Sequence, residues 1–175
     1  MRSVLTAALA VTLSVVAGGC AGGDDDAEAA RAISASIVKQ QKSGSGPGAL
    51  LSLQPRQARC IGDGLVKDIG VDRLRKSGML TRDNKVEGAV TDAKLPEPDA
   101  RKATDVLFGC ADVEAMVEKG LARSGNIARE MQPCVNRVLD ESTLRSVFTD
   151  FFQGDENAAQ VLVRPMMRCI NTDAR

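Results

Sequence analysis

Histidine, tryptophan and tyrosine are missing from this chain, and phenylalanine occurs only four times in 175 residues. Without histidine there is no side chain that titrates near neutral pH in its ordinary state, and the commonest metal ligand is lost. With 2% aromatic residues the chain also lacks a platform for stacking single-stranded nucleic acid, and sugars lose their usual aromatic floor. No cysteine pair has the CxxC spacing of zinc sites or of dithiol redox centres. Charge gives no further lead, since 23 basic residues balance 23 acidic ones. No segment alternates apolar and polar residues with period two, so strands are not expected. Nucleic acid, a metal and a cofactor are therefore not expected as partners, and the fold class is all-α.

At the N-terminus a single cation, Arg2, precedes an apolar run from Val4 to Val16, the small residues Ala17-Gly18-Gly19, and Cys20. This order is that of a secretory signal. The run is about 13 residues, whereas a spanning helix needs about 20, so a retained transmembrane anchor is the poorer reading. Ala17-Gly18-Gly19-Cys20 resembles the lipobox of bacterial lipoproteins, with Ala17 where a branched aliphatic residue is commoner. The resemblance covers about twenty residues. It implies removal of residues 1–19, diacylation of Cys20 (palmitate being a typical chain) and an extracytoplasmic position on the cell membrane. Two acyl chains hold a protein on a membrane stably where one does not. Plain soluble secretion is the alternative. Residues 20–29, with Asp24-Asp25-Asp26 and Glu28, suggest a flexible acidic tether. Leaving out those four acids and Arg2, the domain carries 22 cations against 19 anions, too small a surplus to attract nucleic acid.

Helical periodicity dominates the rest. Residues 30–48 hold an amphipathic helix and a linker: Ala30, Ile33, Ile37 and Val38 form an apolar stripe over Ala27 to Gln41, and Gly44 to Gly48 breaks it. Residues 49–175 form the main domain. A helix starting at Pro55 and ending at Gly70 turns Cys60, Ile61, Leu65 and Ile69 inward. A short helical turn follows, with Asp72 as cap and Gly78 as stop, and Met79 to Pro98 looks irregular. Helices over 99–110 and 112–123 bury Ala103, Val106, Leu107 and Cys110, then Val113, Met116, Val117 and Leu121. The next presents Ile127, Met131, Cys134, Val135 and Val138 with a bend at Pro133. Ser142 is expected to cap a stripe of Leu144, Val147, Phe148, Phe151 and Phe152, stopped by Gly154. Asp155 then caps a last helix that faces Ala158, Val161, Leu162, Met166 and Cys169 inward. The architecture expected is a bundle of about six helices, with two weakly similar halves anchored on the cysteines.

Apart from Cys20, four cysteines remain: Cys60, Cys110, Cys134 and Cys169. An even number in an oxidising compartment implies two disulfides, for which three pairings exist. Cys60 near the start of one helix and Cys110 near the end of another suit antiparallel packing. The same argument, less cleanly, pairs Cys134 with Cys169.

Other motifs carry less. Ser36-Ile37-Val38-Lys39 matches S-x-x-K and Lys76-Ser77-Gly78 resembles K-T-G, but the S-D-N element is missing and the chain is too short for a penicillin-interacting fold. The paired carboxylates Asp140-Glu141 and Asp155-Glu156 fall where caps are needed. Met131, Phe148, Phe151, Phe152 and Met166 are candidates to line an apolar pocket, or simply core. The function expected is a non-enzymatic, membrane-anchored domain that binds a protein or envelope component. A carrier of a small hydrophobic ligand is the alternative, and a carboxylate-dependent hydrolase the third.

Overall fold

The structure, a computed structural model, describes residues 22–43, 52–88, 90–124 and 129–172. Eight α-helices, rather than about six, account for it: α1 (Gly22–Ser43), α2 (Pro55–Ile69), α3 (Val71–Lys76), α4 (Glu97–Cys110), α5 (Val113–Ser124), α6 (Gln132–Val138), α7 (Glu141–Phe152) and α8 (Gln160–Thr172). Single 3-10 turns occur at Val90–Asp92 and Arg129–Met131. Among the described residues there is no strand, and the fold is a small helical bundle.

Helix α2 is its centre. Pro55 opens the helix, where a missing amide proton costs nothing, and the Gln57 side chain accepts from the Gln54 amide at 2.7 Å. Gly70, at φ +92°, turns the chain directly into α3. Ile61, Leu65 and Ile69 are buried as the periodicity requires, but Cys60 is exposed. One face of α2 packs on α1 and another on α4, and α4 in turn packs on α7. The close approach to α1 depends on Gly62. A β-carbon there would lie 2.5 Å from the Ala30 carbonyl oxygen and collide with the Ser34 hydroxyl.

The larger apolar cluster takes in Ala29, Ala30 and Ile33 of α1, the buried face of α2, Val71 and Leu74 of α3, the inner face of α4, and Phe152. The segment after α3 was expected to be irregular and largely is, yet Met79, Leu80, Val90, Ala93 and Leu95 are all buried in this cluster. Its backbone is tied down by bonds from Lys94 N to Ser77 O (3.1 Å) and Leu95 N to Phe152 O (2.9 Å). A second, smaller cluster gathers Val135, Leu139, Leu144 and Cys169. Phe108 and Phe148 pack against both clusters and meet edge to face, ring centroids 6.1 Å apart.

Several local expectations need correction. Helix α1 begins at Gly22, so the stretch read as a flexible tether is helical from there on; Asp24 and Asp25 lie in its first turn, where negative charge opposes the macrodipole favourably. Gly70, not Asp72, precedes α3. Pro133 does not bend a helix: it occupies the first turn of α6, the position a proline tolerates. Asp140 rather than Ser142 caps α7, accepting from the Thr143 amide at 2.8 Å, while the Ser142 hydroxyl donates to the same carboxylate. Asp155 caps a turn ahead of α8, accepting from the Asn157 amide at 2.8 Å. Val161, expected inward, is 57% exposed. Cys20, residues 1–19, the linker at 44–48 and Ile127 lie outside the described residues.

Candidate binding surfaces

Both expected disulfides are present. Cys60–Cys110 joins α2 to α4 and Cys134–Cys169 joins α6 to α8, each with Cα atoms 5.7 Å apart, well inside the usual span. The connectivity repeats in the two halves, but the helices do not match in size: α2 has 15 residues and α6 has 7. Loops of 50 and 35 residues each restrict the unfolded chain by about 4 kcal/mol in the chain-entropy account. Their surroundings differ. Cys169 is 1% exposed, whereas Cys60 is exposed and Cys110 half-buried.

The five residues considered for an apolar pocket do not converge. Phe152 belongs to the larger cluster, Met166 packs on the smaller, and Phe148 bridges them. Phe151 leans edge-on against Phe152, centroids 6.4 Å apart, and Met131 is half-buried at the 3-10 turn before α6.

Two open grooves are better defined. One, of about 430 Å³, runs between α4 and α7. All of its charged residues but Asp150 are held in ion pairs. Arg145 donates to Asp105 (2.8 Å) and Glu141 (2.7 Å) and lies 4.4 Å above the Phe108 ring. Arg101 pairs with Glu97 at 2.6 Å, and Thr104 and Thr149 share a 3.0 Å hydrogen bond. Glu97 and Asp105 here are ion-pair partners rather than a convergent acid and base. The buried Asp99, 4% exposed, has the Arg73 guanidinium at 2.9 Å.

The other groove, of about 570 Å³, runs along α1 beside α2. Its floor is Ala27, Ala35, Val38 and Pro55, and its rim carries Arg31, Lys39, Lys42 and Arg59 against one acid, Asp63. Neither ion pairs nor side-chain hydrogen bonds neutralise these four cations among the described residues. Sequence reasoning missed this surface because it followed the apolar face of α1. The signal was present on the opposite face, where Asp24, Glu28, Arg31, Ala35, Lys39 and Lys42 recur at helical spacing and are all exposed.

The start of α1 is fastened to the domain. Asp25 Oδ1 accepts from Arg75 Nη2 (2.7 Å) and from Asn84 Nδ2 (2.6 Å), and Arg75 also donates to Asn84 Oδ1 (2.7 Å). The Asn84 amide first, then the Arg75 guanidinium, hold the Asp25 carboxyl below the usual carboxylate range. At Asp140 the backbone amide of Thr143, then the Ser142 hydroxyl, do the same.

The S-x-x-K serine and the Lys-Ser-Gly serine have ordinary local partners: Ser36 accepts from Gln40 Nε2 at 2.9 Å, and Ser77 donates to the Leu74 carbonyl at 2.9 Å. Among the described residues no group of three or more acids or cysteines is placed to hold a metal ion, and no helix is long and apolar enough to cross a membrane. No protein-family model, no curated protein and no solved structure matches the chain.

Proposed function

We propose that this chain is an exported lipoprotein, held by lipid on Cys20 at the extracytoplasmic face of the cell membrane. There its disulfide-linked helical domain serves as a non-enzymatic binding module for a protein or an envelope component. The observation that carries this reading is the division of the five cysteines. Four are consumed in two disulfides, which form and persist in oxidising compartments. The fifth ends Ala17-Gly18-Gly19-Cys20, the lipobox-like stretch. Binding is preferred to catalysis because Glu97 and Asp105 of the α4–α7 groove are engaged in ion pairs and leave Asp150 without a second carboxylate to work with, whereas the rim of the α1–α2 groove is charged and unneutralised.

Intact mass of the membrane-extracted protein tests export and oxidation together. The expected species lacks residues 1–19, carries acyl chains on Cys20 and has lost four thiol hydrogens. A full-length chain with five free thiols in the cytosol overturns the reading. The Cys20→Ala variant is expected to leave the membrane fraction for the soluble extracytoplasmic one; full retention refutes lipid anchoring.

A further inference from the structure

The exposed stripe of α1 is ordered by charge. Asp24 and Glu28 stand at its N-terminal end, Arg31 and the small Ala35 near the middle, and Lys39 and Lys42 at its C-terminal end; all are exposed. Steps of three and four residues keep these side chains on one narrow face. The two ends of this stripe are complementary when it is reversed. If two copies of α1 lie antiparallel with their crossing near residue 33, Asp24 of one faces Lys42 of the other, and Glu28 faces Lys39. The two-fold axis produces each contact twice, as an isologous interface requires. Asp24 and Lys42 are separated by about 27 Å along the helix at 1.5 Å per residue, so the matched charges flank the crossing instead of crowding it. Near the crossing Ala35 of one copy meets Arg31 of the other, whose long side chain can carry its charge past it to the rim, and on either side the groove floor offers the smaller Ala27 and Val38. Arg59, on the α2 side of the groove, adds a further cation near the incoming acidic end.

We infer that the α1–α2 groove is occupied by the α1 helix of a second copy of this chain, forming a two-fold dimer held by Asp24–Lys42 and Glu28–Lys39 pairs. A flat membrane surface cannot reach the floor of a groove, and a polyanionic sugar has no apolar face to lay against it. A convex helix with acids at one end and alanines along its exposed side does both, and α1 is such a helix.

Charge reversal tests this. The exported chain is purified in a density-matched detergent, so that sedimentation reports the buoyant mass of protein alone whether or not lipid is attached. The native chain is expected to be dimeric at micromolar concentration and low ionic strength, and to weaken as salt screens the pairs. Asp24→Lys with Glu28→Lys, and separately Lys39→Glu with Lys42→Glu, are each expected to weaken dimerisation by roughly tenfold or more, the scale of several exposed pairs turned repulsive. An equimolar mixture of the two reversed chains restores every pair and is expected to dimerise like the native chain. That rescue also shows that both variants are folded. A monomeric native chain overturns the proposal, as does a dimer indifferent to either reversal, or a mixture that stays monomeric. A monomer that instead captures a soluble polyglutamate probe assigns the groove to a foreign acidic partner and likewise overturns it.

Discussion

At Gly62 a hydrogen atom stands where any other residue would push a methylene against the Ala30 carbonyl oxygen. Backbone cannot rotate aside as a side chain can, so Gly62→Ala must part α1 from α2. The expected cost is about 1–3 kcal/mol, the range for overpacking, read as a lower urea midpoint with unchanged slope. The Asp25 carboxylate acts at the same scale but through protons. Its folded-state pKa is lowered from the ordinary 3.8 by Asn84 and Arg75, so its contribution is complete above that value and is lost as pH falls through the folded pKa. Asp25→Asn should therefore destabilise the protein at pH 6, and the gap between variant and native chain should narrow in urea titrations taken below pH 3.8. A gap constant with pH would show that the charge is irrelevant there. These contacts could not be read from sequence. Asp25 meets residues 50 and 59 positions away, and three neighbouring aspartates beside glycines look like a solvated tether until the tertiary partner is known.

Helices, by contrast, were legible, because each buries a stripe and the stripes recur every three to four residues. Their inner faces were correctly read at Ile61, Leu65 and Ile69, at Ala103, Val106 and Leu107, and at Leu144 and Val147. The errors sit at ends and at punctuation. Pro133 was read as an interior break when it opens α6, since a proline looks alike in sequence at either position. The aromatic stripe of α7 was seen, but not that its two ends serve different clusters, which depends on how α4 and α8 lie against it. The unneutralised face of α1 was overlooked for a simpler reason: polar positions at helical spacing read as solvated surface unless the order of their signs is inspected. The disulfide pairing was legible from one geometric idea, antiparallel packing of a helix start against a helix end. Because Cys60 is exposed and Cys169 is 1% exposed, a mild thiol reductant should open Cys60–Cys110 first. Alkylation followed by peptide mass spectrometry should then find label on Cys60 and Cys110 before Cys134 and Cys169; the opposite order would mean that local opening, not native accessibility, governs the reaction.

Across the whole molecule the two disulfides enclose consecutive stretches of chain, residues 60–110 and 134–169. Helix α1 lies in neither. It is kept in place by Ala30 and Ile33 in the apolar cluster, by the tight seat at Gly62, and by the Asp25 clasp, all of them non-covalent. It also starts two residues after Cys20, a separation of at most about 7 Å by chain length. With lipid on Cys20, mechanical load from the bilayer would enter the protein at its longest described helix, which, like α5, neither covalent ring holds. A pull on the anchor would shear α1 along α2 and strip it away, while the ringed remainder kept its shape. Anchored in that way, the protein would have a non-covalent seam beside its point of attachment.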